Sequence, residues 1–224
     1  MKTYSRVIFA LMLETVFSSC QKEEEPDPKF TGSLDEIEEF LTPELTQIML
    51  DLGLEINTGN TPPNIEGSYL GEVLLMDSNV PGDKIGNRFS DVVMKFENQD
   101  NRDLSITFSY NQTIESGTGI GALIAGNDNS FSAFLKVDAS HGAEYATAQT
   151  AMVVSGKITA DGIADFQWAL FMLDNKGESR YIANNTGRVF SERDNIAKTT
   201  TLSAPSGRLT QELDNIRKSA IGNN

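Results

Sequence analysis

The sequence predicts a mainly β fold: an antiparallel, eight-stranded up-and-down barrel with short helices before it and one helix after it. Between residues 66 and 190, apolar and polar residues alternate with a period of two, as in strands that bury one face. Gly, Asn and Asp interrupt the alternation at short intervals, which is typical of tight hairpins. Closing such a meander into a barrel removes its exposed edges. An open β-sandwich has the same local pattern and is the alternative.

The start of the chain has the pattern of an export signal. Two basic residues precede a short apolar run, 7–13, and two serines then lead to Cys20. The apolar run is far shorter than the roughly 20 residues of a transmembrane helix, so we expect it to be removed after export. Cys20 is the only cysteine of the chain, so an internal disulfide is excluded.

The run Phe17-Ser18-Ser19-Cys20 resembles the lipobox of bacterial lipoproteins. In that family a diacylglyceryl group is attached to the cysteine sulfur, and a signal peptidase cleaves just before the cysteine. The resemblance implies that residues 1–19 are a signal peptide and that Cys20 is the lipidated first residue of the mature chain. Two or three acyl chains are enough for stable anchoring, so a membrane is the first expected partner.

An acidic run follows the cysteine at 21–25 and is similar to the export tag of surface lipoproteins of the Bacteroidota. The similarity implies a lipid-anchored protein of the outer membrane that faces the cell exterior. A solvated acidic tether is the alternative interpretation, and both are compatible with a linker over residues 20–32.

Composition excludes several classes of partner and cofactor. The formal net charge is −14, and such a chain repels the phosphate backbones that nucleic-acid-binding proteins neutralise with Lys and Arg. The glycine-rich segment 117–121 lacks the spacing of a dinucleotide-binding loop. With one histidine and a cysteine expected to carry lipid, a zinc site of the Cys/His type is excluded. We expect neither a metal nor an organic cofactor.

Residues 33–56 are expected to be helical. Ser33 with Glu36 forms a capping box, Thr42-Pro43 is typical of a second helix start, and Gly53 ends the pattern. Apolar residues recur between them at steps of three and four, which gives the helices one apolar face. We expect this face to cover one end of the sheet. A lid over a ligand cavity is the alternative.

The barrel domain is predicted over residues 62–190. Its eight candidate strands are 67–76, 88–97, 104–110, 114–125, 130–137, 145–159, 163–173 and 181–190. After residue 190 the chain becomes polar, and we expect a tail over 191–224 with a helix that begins at Ser206.

The predicted barrel is similar to a group of small calycin-like, or lipocalin-like, lipoprotein domains. The segments that carry the likeness are 62–69 at the first strand, 154–158 with the Gly162 turn, and 187–190 in the last strand. The resemblance implies an eight-stranded up-and-down barrel that is filled by its own side chains or holds one small ligand. It carries over no binding residues, and Gly67-Ser68-Tyr69 stands where true lipocalins have Gly-x-Trp.

Two groups of residues are candidates for ligand binding. Phe166 and Trp168 share one face of a predicted strand, which lines a pocket if the barrel holds a ligand and otherwise forms core. Gly117, Gly119 and Gly121 clear one face of another strand. They mark either a bend or a place where a ligand or helix comes close.

No catalytic residue is expected. His141 is predicted to lie in a surface loop, without the Gly-x-Ser-x-Gly elbow of a serine hydrolase. Asp100, Asp103 and Asp128 occur at predicted hairpin tips and lack the spacing of a calcium-binding EF-hand.

We expect a non-catalytic barrel that binds a small apolar molecule or a partner protein. A glycan-binding accessory lipoprotein of a nutrient-uptake system is the alternative, and a hydrolase with paired carboxylates comes third.

Overall fold

The structure is a computed structural model that describes residues 30–201. The predicted signal peptide, the lipidation site Cys20, most of the tether and the predicted C-terminal helix lie outside the described residues. Two helices come first, α1 (Leu34–Leu41) and α2 (Pro43–Asp51). The strands that follow are β1 (Gly67–Gly71), β2 (Val73–Ser78), β3 (Val92–Asp100), β4 (Ser105–Asn111), β5 (Ser116–Asn127), β6 (Ser130–Ser140), β7 (Ala148–Thr159), β8 (Gly162–Asp174), β9 (Gly187–Glu192) and β10 (Ile196–Thr199).

These strands form one closed antiparallel barrel. Its ring runs β1–β3–β4–β5–β6–β7–β8–β10, and β10 closes it because it pairs with β8 on one side and with β1 on the other. Two outer strands, β2 and β9, pair with each other, and β9 also pairs with β8. The predicted eight-stranded barrel is therefore confirmed. An open sandwich is excluded because the sheet closes on itself.

The predicted strand 67–76 is interrupted at Glu72. The backbone N–H of Glu72 donates to the side chain of Glu192 at 3.2 Å instead of to a neighbouring strand. The same carboxylate accepts from the N–H of Ile196 at 3.2 Å. One buried side chain thus bonds the backbone where β1 passes into β2 and where β9 turns into β10.

The end of the barrel also differs from the prediction. The last predicted strand, 181–190, begins only at Gly187, because Asn185 takes a left-handed conformation (φ 62°) that ends regular pairing in the connection before it. Within the predicted tail, β10 completes the ring. The apolar pattern does not predict β10, because Ala197 is its only fully buried residue and its last two residues are exposed.

The two helices form where the sequence predicts them. Ser33 Oγ accepts from the N–H of Glu36 at 3.4 Å, and Thr42 Oγ1 accepts from the N–H of Leu45 at 3.3 Å. The capping box is not reciprocal, because the Glu36 carboxylate accepts from Thr31 at 2.7 Å.

The helices cover the outer face of the barrel rather than one end of the sheet. Their apolar face packs on outward-facing side chains of β5 to β9 and forms a second core. Its buried members are Ile37, Leu41, Leu45, Met49, Leu54, Ala125, Phe134, Ala151, Val153, Ala169, Phe171 and Val189. No helix within residues 30–201 is both long and apolar enough to cross a membrane.

The inside of the barrel is filled with side chains. A continuous series of aromatic contacts runs along it, from Tyr69–Phe96 (6.2 Å between ring centroids) through Phe108 and Tyr110 to Trp168–Phe190 (5.0 Å). All six rings are buried. At one end of the series the Tyr69 hydroxyl donates to the carbonyl of Ile65 at 3.0 Å, and the other end meets a cavity.

Candidate functional site

One end of the barrel is open to a small cavity. The connections β2–β3, β4–β5, β6–β7 and β8–β9 meet there, and they enclose an inner cavity of about 200 Å³. Its apolar walls are Phe89, Ile114, Trp168, Leu170, Met172, Ile182 and Phe190. Its polar lining is Ser90, Gln112, Glu115, His141, Arg180, Tyr181 and Arg188.

A β-bulge sets the position of two polar residues at this end. In the hairpin of β5 and β6 the pairing shifts by one residue at Ile120, and beyond the shift Ser116 pairs with Ser140. The next residues outward, Glu115 and His141, therefore lie opposite each other at the rim. Without the extra residue, the same hairpin would place His141 opposite Ser116 instead.

Glu115 is a largely buried carboxylate, with 14% of its side chain exposed, and it is held from two sides. The hydroxyl of Tyr110 donates to Glu115 Oε1, and Glu115 Oε2 lies 3.3 Å from Nε2 of His141. Burial raises the pKa of Glu115, although the bond from Tyr110 and the nearby charges of His141 and Arg188 act in the opposite direction. Burial also raises the pKa of Tyr110 far above its usual value, so its hydroxyl keeps its proton and remains the donor.

His141 is not the surface residue that the sequence predicts, because only 10% of its side chain is exposed. Its ring packs 4.6 Å from the ring of Tyr181, and its backbone N–H donates to the Tyr181 hydroxyl at 3.3 Å. That hydroxyl in turn donates to the carbonyl of Ala146 at 3.0 Å. The β6–β7 loop is thus packed onto the β8–β9 connection, a contact between segments far apart in the sequence.

Two buried polar atoms of the cavity lining have no hydrogen-bond partner among residues 30–201: Nε1 of Trp168 and Nδ1 of His141. A third such atom, Thr46 Oγ1, belongs to α2 and does not line this cavity. An unsatisfied buried polar group costs about 1–3 kcal/mol. Such groups are normally bonded to protein, water or ligand. Both atoms belong to side chains that line the inner cavity.

Two arginines border the cavity in different ways. The guanidinium of Arg188 donates to Asp83 from Nε at 2.7 Å and from Nη2 at 3.0 Å, and it lies 5.0 Å from the Phe89 ring centre. These bonds from Arg188 lower the pKa of Asp83. Arg180 is exposed, stacks on Tyr145 at 4.5 Å and forms no ion pair with any residue of 30–201.

An outer cavity of about 390 Å³ continues from the inner one. The two share Gln112, Ile114, Glu115, His141 and Arg180 as lining residues. The outer cavity is more polar in its residues, since Asn111, Thr113, Ser116, Ser140 and Glu144 add to its lining. A molecule that spans both cavities would place its apolar part inward and its polar part outward.

The aromatic candidates occupy different positions. Trp168 lines the inner cavity, whereas Phe166 is buried deeper and belongs only to the barrel core. Leu170, on the same face of β8 as both, also lines the cavity. The apolar alternation of β8 thus identifies the face that lines the cavity, but only the residues from Trp168 onward reach it.

The candidate glycines lie beside the site rather than in its lining. A Cβ on Gly117 would stand 2.3 Å from Cε1 of Tyr110, so the glycine makes room for the ring that donates to Glu115. Gly119 lies against Phe108, and a Cβ on Gly121, beyond the bulge, would stand 3.9 Å from Phe40 of α1. They combine the two roles considered from the sequence: a bend and the close approach of neighbouring groups.

Glu115, Arg180 and Arg188 are site residues that the sequence analysis missed. Each stands next to a strand end or in a connection, where an isolated charge is common and gives no signal of its own. Glu115 falls within the predicted strand 114–125 and Arg188 within the predicted strand 181–190, and neither position marks a site residue. Their convergence depends on strand register and barrel closure, which are properties of the assembled sheet.

Other candidates do not form sites in the described part of the chain. Asp100 pairs with Arg102 at 2.5 Å, and Asp128 takes a left-handed turn conformation (φ 56°). Within residues 30–201 no group of three or more His, Cys, Asp or Glu side chains is placed to hold a metal ion. Every aromatic side chain in that range is buried or half-buried, so it contains no exposed aromatic pair of the kind that binds sugars.

Comparisons of the chain with protein-family models, with curated proteins and with solved structures find no match. The geometry of the open end is therefore the basis on which a function can be proposed.

Proposed function

We propose that this chain is a lipid-anchored protein of the cell surface whose barrel binds a small molecule at its open end. The proposal of binding rests on one observation. Two buried polar atoms without a partner among residues 30–201, Nε1 of Trp168 and Nδ1 of His141, belong to side chains that line the same cavity. A ligand that bonds them recovers part of the cost of burying them.

The size of the cavity limits the ligand. An apolar cavity of about 150 Å³ holds one benzene molecule, so the inner cavity, at about 200 Å³, fits one substituted ring or a short branched chain. The barrel below it is filled by the aromatic series that ends at Trp168. A long acyl chain therefore finds no room along the barrel axis.

The walls favour a flat apolar group. Phe89 and Phe190 meet edge to face at 5.1 Å, and Phe190 stacks on Trp168 at 5.0 Å. A ring inserted beside these residues gains contact area and favourable aromatic geometry. A hydrogen-bond acceptor on that ring's substituent can accept from Trp168 Nε1.

The site supports binding rather than catalysis. Both oxygens of the Glu115 carboxylate are occupied, one by Tyr110 and the other by His141. A second carboxylate, Glu144, lines only the outer cavity, where it is exposed. No observation favours a glycan over a small molecule, because residues 30–201 present no exposed aromatic platform.

Trp168 makes the binding measurable, because it is the only tryptophan of the chain. Phenylacetamide, a neutral single-ring probe, should change the intrinsic fluorescence of the full chain in a saturable manner. Leu170→Phe fills the inner cavity and should weaken binding at least about tenfold, a difference of about 1.4 kcal/mol. Leu173→Phe is the matched control, because Leu173 lies on the same strand but is exposed.

The proposal fails if phenylacetamide produces no saturable change in the unmodified chain. It fails equally if Leu170→Phe binds the probe as well as Leu173→Phe does.

A further inference from the structure

We infer that the ligand is a small aromatic carboxylate, an anion whose ring fills the inner cavity and whose carboxylate faces Arg180. This inference rests on the proposed binding function and adds the charge and class of the ligand. It follows from the hydrogen-bonding capacity and the charges at the open end of the barrel.

The first step is the surplus of donors. The indole N–H of Trp168 is a donor only, and it has no acceptor among residues 30–201. The guanidinium of Arg180 presents only donors as well, and it lines both cavities. A ligand rich in acceptors satisfies both of these groups.

The second step is the charge that remains after pairing. Asp83 neutralises Arg188 with two hydrogen bonds, and Glu115 is held by His141 and Tyr110. Arg180 forms no ion pair within residues 30–201. Arg180 is therefore the one arginine of the lining whose charge is not balanced by an ion pair within residues 30–201, and this charge favours an anion.

The third step is the placement of Arg180. Its stacking on Tyr145, 4.5 Å from the ring centre, holds the planar guanidinium where the inner and outer cavities meet. A carboxylate matches the two parallel donors of such a group. Glu144, in the outer lining, forms no ion pair within residues 30–201; it is exposed to solvent, so its repulsion is screened.

The size limit separates this ligand class from lipids. The buried aromatic series below the cavity leaves room for one ring and not for an extended acyl chain. Phenylacetate therefore represents the ligand class. Palmitate is the control for shape, because it has the same carboxylate on an extended chain.

The test compares three probes of one shape on the full chain: phenylacetate, phenylacetamide and phenethylamine, with Trp168 fluorescence as the signal. We expect phenylacetate to bind about tenfold more tightly than phenylacetamide at low salt, since bonds to charged partners are roughly twice as strong. Phenethylamine and palmitate should bind more weakly than both. The advantage of phenylacetate should shrink as salt is added.

Arg180→Gln should abolish the preference for phenylacetate over phenylacetamide, and Arg180→Lys should retain part of it. Arg102→Gln is the control, because Arg102 is an exposed arginine in the β3–β4 turn that does not line either cavity.

A preference for phenylacetate that survives Arg180→Gln contradicts the role given to Arg180. If phenylacetamide binds and phenylacetate binds no better, the anion inference is wrong and the binding function stands. If neither probe binds, both are wrong.

Discussion

Oε2 of Glu115 lies 3.3 Å from Nε2 of His141, and this contact joins the β4–β5 connection to the β6–β7 loop across the mouth of the barrel. It exists because the bulge at Ile120 shifts the register of the hairpin by one residue. Tyr110 completes the contact from inside the barrel, and Tyr181 packs against it from the β8–β9 connection. Through His141 and Tyr181, the Glu115 carboxylate thus links three of the four connections that meet at the proposed binding site.

This buried carboxylate should make stability depend on pH. The pKa of Glu115 is raised above its ordinary value of 4.5, so the folded state holds the proton more tightly than the unfolded state. Between the ordinary and the raised value, unfolding releases this proton, and the free energy of unfolding falls as pH rises. Glu115→Gln should remove this contribution. Urea denaturation at a series of pH values measures it as the difference between the two chains.

The two chains must be compared because several surface carboxylates change the free energy of unfolding with pH in the opposite direction. Asp165 and Asp174, for example, have lowered pKa values through bonds to Lys157 and Lys176, and they are the same in both chains. Identical pH slopes for the unmodified chain and Glu115→Gln above pH 4.5 would show that Glu115 is not perturbed by burial.

Removing the hydroxyl of Tyr110 should destabilise the fold. Tyr110→Phe leaves the buried Glu115 carboxylate without its internal donor, which costs about 1–3 kcal/mol of unfolding free energy. Tyr69→Phe is the matched control, since its buried hydroxyl donates to a neutral backbone carbonyl, that of Ile65. Chemical denaturation should show the larger loss for Tyr110→Phe, because bonds to charged groups are stronger. An equal or larger loss for Tyr69→Phe would contradict the account.

The space beside Tyr110 should not tolerate a methyl group. Gly117→Ala would place a Cβ 2.3 Å from Tyr110 Cε1 and 2.7 Å from Val137 Cγ1. Overpacking of this kind costs about 1–3 kcal/mol. Gly121→Ala on the same strand meets nothing closer than Phe40 at 3.9 Å, so its melting temperature should stay near that of the unmodified chain. Similar melting temperatures for the two variants would show that Gly117 is not needed for packing.

The proposed lipid anchor predicts a labelling result. Expressed in a bacterium that processes lipoproteins, the unmodified chain should incorporate radioactive palmitate, and Cys20→Ala should abolish the label and leave the precursor uncleaved. Ser19→Ala keeps a small residue before the cysteine and should still be labelled and cleaved. Continued labelling of Cys20→Ala would end the lipoprotein interpretation.

Local signals in the sequence predict the helices and most of the barrel. Ser33, Thr42 and Pro43 act on neighbouring backbone groups, so they mark helix starts without knowledge of the fold. The pattern of apolar residues identifies strands such as β7 and β8 because each buries a long stretch of side chains. It fails for β10, where Ala197 alone is fully buried and the strand exists only because β1 and β8 both pair with it.

The site is less predictable than the fold because it depends on register. The alternation of β8 places Trp168 on the inward face, so its role as a lining residue could be considered from the sequence. The pairing of Glu115 with His141 depends on one extra residue, Ile120, in a glycine-rich strand. Such a bulge shifts every later partner by one position, and no local pattern reveals where it occurs.

The most direct test of binding at this site observes the indole N–H of Trp168 itself. The chain has one tryptophan, so a ¹H–¹⁵N correlation spectrum of the full chain contains one indole resonance. Titration with phenylacetate should move this resonance in a saturable manner, with the dissociation constant given by fluorescence, because the probe enters the cavity that the Trp168 side chain lines. An indole resonance that stays in place at saturating probe, whether or not backbone resonances move, would contradict binding in the cavity at the open end of the barrel.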